Sequence, residues 1–189
     1  MRTKRTQAIK ALVYSAMLAA ISVVMARLLC FATPDGVRWS LDKFPLFLSG
    51  MFFGPVMGAL TGFVADFTGS LMQFGFNPLL CPPAILYGLF GGLARKYLMQ
   101  KNPTFFRIGL CYLIPIVLGS ILYQSCMLAH LYFDGTFAAG FKYYLYTRSI
   151  QFSIMLVAET LIIYALMKTN VFTRLGVWPP IKLKKEDRQ

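Results

Sequence analysis

The chain has 189 residues, of which 57% are hydrophobic and 14% charged, and its net charge is +12. Water-soluble domains carry about 25% charged residues, so this composition excludes one and implies a single integral membrane domain over residues 1-189. The basic residues lie in blocks at Arg2 to Lys10, Arg95 to Arg107 and from Lys168 onward. That is the positive-inside arrangement of a chain with both termini in the cytoplasm. The blocks lack the interleaved aromatics of a single-strand nucleic-acid surface, so no nucleic-acid partner is expected.

Hydropathy predicts six spans, an all-α compact bundle. The first, about 7-30, begins like a signal peptide, but its apolar run from Ala11 to Phe31 is too long for a signal h-region. It carries small residues at Ala11, Ser15, Ala19, Ser22 and Ala26, with a neighbouring stripe at Ala16 and Ala20. Such stripes let a second helix approach closely. That helix is either another in the same bundle or one from a separate membrane subunit. Arg27 closes the span, and an outer segment from Phe31 to Lys43 follows, holding Trp39. Trp39 either lids a cavity or anchors in the headgroup layer.

Phe44 to Met72 gives 29 nearly uncharged residues, cut by Gly54-Pro55. One crossing needs about 20 residues, so this run predicts a tight hairpin of two helices, 43-53 and 55-73, one short or tilted. On the second, Gly58, Gly62, Asp66 and Ser70 recur every four residues, with Gln73 seven beyond Asp66. A carboxylate at membrane depth is costly unless paired or neutralised. Asp66 either pairs with Arg27 or Arg148, or accepts paired N–H donors from a ligand heterocycle.

In the outer loop from Phe74 to Pro83, Phe74, Phe76 and Asn77 could lid a cavity with aromatic faces. Helix 84-98 follows, then helix 105-133 with Tyr123, Gln124, Met127 and His130 toward its outer end. His130 is either an interfacial residue or a ligand contact. The last span, 142-167, aligns Arg148, Gln151, Met155 and Glu159. Arg148 either captures a carboxylate or phosphate with its planar fork or snorkels to headgroups. Glu159 lies about 16 Å deeper and is read as a helix-to-helix tie outside the site. Cys30, Cys81, Cys111 and Cys126 share no metal-binding spacing, so no metal or cofactor is expected. There is no Ser-His-Asp set, HExxH or P-loop, which argues against an enzyme and against ATP hydrolysis by this chain.

The basic N-terminus leading into SAMLAAISVVMARLL, the run FPLFLSGMFFGPVMGALTGFVADFTGSL and the continuation FNPLLCPPAILYGLFGGL carry a family resemblance over roughly residues 6 to 168. The chain resembles the small substrate-binding membrane subunits of energy-coupling factor transporters, the vitamin importers of many bacteria and archaea. The Arg27 ending of helix 1 and the FPLFLSGMFFGP run are most similar to the folate-specific branch. The resemblance implies a multi-pass protein of the bacterial cell membrane with an outward-facing vitamin cavity covered by the first outer loop. It also implies partners: a transmembrane coupling subunit and two cytoplasmic ATPases. The family's alanine motif on helix 1 meets the coupling subunit; Ala16 and Ala20 match its spacing, and Ser15 and Ala19 offer a competing register.

For folate, Asp66 would read the pterin edge, aromatic side chains would stack on the rings, and Arg27 and Arg148 would hold the carboxylates. The candidate site is therefore Arg27, Trp39, Asp66, Gln73, Phe76, Asn77, Tyr123, His130, Arg148 and Gln151. Pantothenate, biotin or a deazapurine precursor on the same scaffold, or a solitary ion-coupled transporter using Asp66 or Glu159, are the rival readings.

Overall fold

The computed structural model describes residues 2–28, 30–32, 38–72, 77–100, 104–133 and 135–169. It is an all-α membrane fold: α1 (Arg2–Leu28), α2 (Phe44–Phe53), α3 (Pro55–Leu71), α4 (Pro82–Gln100), a rod formed by α5 (Phe105–Pro115) and α6 (Gln124–Tyr132) with a π-helical stretch (Ile116–Tyr123) between them, and α7 (Phe137–Lys168). Among the described residues, Thr6–Leu28, Phe105–Tyr132 and Phe137–Lys168 are long and apolar enough to cross a membrane.

The shortest helix fills the centre. Every residue of α2 from Phe44 to Phe52 is buried, as expected of a helix apolar on all sides. Its ten residues rise about 15 Å, half of a hydrocarbon core about 30 Å thick. If the Gly54 end sits at one membrane face, Lys43 therefore lies near mid-depth. At Gly54, φ is 97°, a conformation that suits glycine alone. Pro55 then opens α3, where its missing N–H costs nothing.

Helices α2, α3 and α4 meet backbone to backbone. A Cβ on Gly58 or Gly88 would overlap the other's helix, and one on Gly62 would run into Ala84. α1 lays Ser15, Ala19 and Ser22 against this block, all three buried. Ser49 Oγ shares a 2.7 Å hydrogen bond with Thr61 Oγ1, linking α2 to α3, and lies 3.5 Å from Ser15 Oγ on α1.

One row of buried residues along the α5–α6 rod, Ile108, Tyr112, Ile116 and Ser120, steps by four, then continues to Ser125 after five and to Ala129 after four, with Pro115 and Gly119 buried beside it. The five-residue step is the signature of a π turn. It follows Pro115, which has no N–H to donate to the preceding turn.

Two details depart from the sequence expectations. Within the outer segment, Cys30–Ala32 and Arg38–Ser40 form a short antiparallel ribbon with Phe31 opposite Trp39, pairing that hydropathy does not foresee. The last helix begins at Phe137, five residues before the expected start, after an extended Thr136.

Candidate functional site

A cavity of about 220 Å³ opens between two walls. One wall is α1 and α3, contributing Ser22, Ala26, Arg27, Ala65, Asp66 and Gly69. The other is α6 and α7, contributing Gln124, Arg148, Gln151, Phe152 and Met155. The floor is the start of α2, with Ser40, Asp42, Lys43 and Leu46. With the Gly54 end of α2 at a membrane face, this floor lies near mid-depth, because α2 is only about half a membrane long.

The floor is a closed polar network. Lys43 Nζ is 2.7 Å from Asp42 Oδ2, and Ser40 Oγ donates to Asp42 Oδ1 at 2.7 Å. Ser22 Oγ donates to the Asp42 carbonyl at 2.7 Å, tying the floor to α1. From below, Glu159 Oε1 accepts the Lys43 backbone N–H at 3.3 Å, and Glu159 Oε2 accepts from Tyr112 at 2.6 Å. Glu159 thus joins α7, α5 and the first turn of α2 beneath the cavity, in keeping with its reading as a tie.

Asp66 is half-buried on the wall. The Cys81 thiol lies beside it, and Lys43 and Arg27 line the same cavity. No ion pair joins it to Arg27 or Arg148 among the described residues, so its carboxylate is left facing the cavity. One turn above, the Arg27 guanidinium rests against Gly69, whose position would bring a Cβ within 3.0 Å of Nη2. The glycine is what gives the arginine room.

Across the cavity, Arg148 Nη1 donates to Gln124 Oε1 at 3.0 Å and to the Ser120 carbonyl at 3.3 Å. Its guanidinium stands 5.7 Å from the centre of the Phe152 ring, within cation–π range. Convergent charged and amide groups in a concave cleft are the usual orienting elements of a small-molecule site, and polar groups make up much of this lining. This one offers a carboxylate acceptor on one side, guanidinium groups on both and a lysine beneath.

Of the sequence candidates, Arg27, Asp66, Arg148 and Gln151 come together here. Trp39 is half-buried on the ribbon and packs against the core. Asn77 caps the Pro78–Leu80 turn by accepting from Leu79 N at 3.1 Å. Tyr123 donates to the Leu79 carbonyl at 3.1 Å, and His130 is exposed; neither lines the cavity. Gln73 and Phe76 lie outside the described residues. On α1, Ser15 and Ala19 are buried in the bundle, whereas Ala16 and Ala20 are exposed.

Sequence reasoning left Asp42, Lys43 and Gln124 out of the site. A signal for the first two existed: a ten-residue, mostly apolar helix covers only about half of a crossing, so with its Gly54 end at a membrane face the charged pair preceding it is carried inward. For Gln124 the signal was the four-residue step from Ser120, which lands on it; the π turn instead puts Ser125 inward and leaves Gln124 at the rim of that face, bordering the cavity. The same turn buries Ala129 and exposes His130.

A model of the family described as ECF transporter, substrate-specific component matches residues 10–173. No curated protein sequence matches the chain. Nine chains of solved structures match. One, the crystal structure of FolT bound with folic acid, has a TM-score of 0.67 and 27% sequence identity, covering 83% of this chain and 92% of that one.

Proposed function

We propose that this chain, which belongs to the substrate-specific components of ECF transporters, binds folate in the cavity above α2. The observation that carries this reading is the opposition of a carboxylate not paired to either arginine, Asp66, to Arg148 across the cleft. Folate has a pterin edge rich in N–H donors at one end and a glutamate with two carboxylates at the other. Asp66 accepts the pterin edge, as a carboxylate accepts paired donors. Arg27 and Arg148 take the acidic end, and Gln151 adds an amide between them. The likeness to FolT bound with folic acid supports the same ligand. Pantothenate or biotin would also use the arginines, but pantothenate has no amidine-like edge for Asp66.

Membership of this family supports a reading in which uphill import is driven by ATP hydrolysis in partners, a transmembrane coupling subunit and two cytoplasmic ATPases. Ala16 and Ala20 form the docking stripe, since both are exposed on α1 while the Ser15 and Ala19 register is used within the bundle. Both termini lie in the cytoplasm, in line with the three basic blocks, and the cavity then opens outward with Trp39, on the ribbon, near its mouth.

The test is to purify the protein without added ligand and identify what remains bound by mass spectrometry, with folate titration of the emptied protein alongside. Bound folate is the expected result. An unrelated vitamin would keep the family and overturn the ligand.

A further inference from the structure

Arg148 is held before any ligand arrives. Both hydrogens of Nη1 have acceptors, Gln124 Oε1 and the Ser120 carbonyl, and the Phe152 ring backs the guanidinium plane. Ser120 is itself fixed, because its Oγ shares a 2.9 Å hydrogen bond with the buried Tyr87 hydroxyl of α4. Among the described residues no acceptor takes the opposite edge, Nε with Nη2. That edge has the parallel donors that match the two oxygens of a carboxylate.

The acceptors owe their placement to the π stretch. Ser120 lies within it and Gln124 directly follows it. In a regular α-helix the inward step after Ser120 would fall on Gln124 itself, four residues on. The wide turn instead puts Ser125 inward, leaving Gln124 at the rim of that face, where its amide meets Arg148 and also borders the cavity.

We infer that Gln124 and the π stretch are a positioning device for Arg148, immobilising one edge so that the Nε–Nη2 edge is presented to a ligand carboxylate. The inference rests on the reading of this cavity as a site for a carboxylate-bearing vitamin. An arginine already fixed loses less freedom on capture, which raises affinity without any new contact to the ligand. Gln124 therefore acts through Arg148.

A double-mutant cycle on the purified full chain tests this, with folate as the probe. Gln124→Leu should weaken folate binding about tenfold and Arg148→Met about a hundredfold, the range for lost hydrogen bonds to charged groups. The double variant should bind no more weakly than Arg148→Met alone. Additive losses would mean that Gln124 acts independently of Arg148, and an unchanged affinity in Gln124→Leu would remove its role altogether; either overturns the proposal. Gln124→Met, closer in shape, serves in the same cycle if the leucine variant fails to fold.

A second readout needs no ligand. In the empty protein, the Arg148 guanidinium should show hindered rotation of its Nη1 group by ¹⁵N NMR, and Gln124→Leu should release it. Free rotation in the wild type would sink the positioning claim. Failure of the wild type to bind folate, with rotation still hindered, would instead overturn the folate reading and leave the device standing.

Discussion

The Tyr112 hydroxyl donates to Glu159 Oε2 at 2.6 Å, while the other oxygen of the same carboxylate accepts the Lys43 N–H at 3.3 Å. One buried acid thus fixes α5, α7 and the cavity floor together. Leaving a buried polar group without its partner costs more than an ordinary hydrogen bond is worth. Tyr112→Phe should therefore lower stability by about 1–3 kcal/mol, read as a fall in the thermal midpoint in detergent. Folate affinity should change far less than it does in Asp66 variants, because Tyr112 does not line the cavity. A large loss of affinity with an unchanged midpoint would contradict this.

Asp66 carries the heterocycle side of the proposed site. Asp66→Asn keeps the shape but turns part of an acceptor edge into a donor, so folate binding should weaken by about 100-fold, the upper range for a charged hydrogen bond. Glu159→Gln, measured in the same titration, should cost binding much less. Equal losses would mean that Asp66 does not read the pterin edge.

The two registers on α1 should separate cleanly. Ala16→Trp or Ala20→Trp adds bulk on an exposed stripe and should abolish uptake in cells carrying the ATPase module while leaving folate binding by the isolated protein intact. Ala19→Trp places the same bulk in the core, where Ala19 is 5% exposed. Overpacking there costs about 1–3 kcal/mol or more, so that variant should lose folding and binding together. Normal binding by Ala19→Trp and lost binding by Ala16→Trp would reverse the assignment.

Backbone contact between α3 and α4 gives a test of the fold itself. Gly88→Ala would drive a methyl into the Gly58 carbonyl, where only a backbone shift relieves the overlap, and should destabilise by about 1–3 kcal/mol. Gly109→Ala is the control, since its Cβ would sit 3.5 Å from Thr160 Cγ2, an ordinary contact. Expression level and thermal midpoint should fall for the first and stay near wild type for the second.

The amino-acid sequence alone determined the membrane class, the helix order and the hairpin break, because hydropathy and Gly54-Pro55 act locally along the chain. It also singled out Arg27, Asp66, Arg148 and Gln151, since charged and amide groups at membrane depth are few and each needs a reason to be there. Tertiary structure decided the rest. That Asp42 and Lys43 are a cavity floor follows from burying a ten-residue helix at the centre of the bundle. That Ser15 and Ala19 pack inward while Ala16 and Ala20 stay outside depends on how α1 is rotated against α2 and α3, which two interleaved stripes of small residues leave open. That Gln124 faces Arg148 while His130 turns away depends on a single wide turn after Pro115. A proline marks where such a turn is allowed, but only packing against α4 and α7 selects the face that ends up inside.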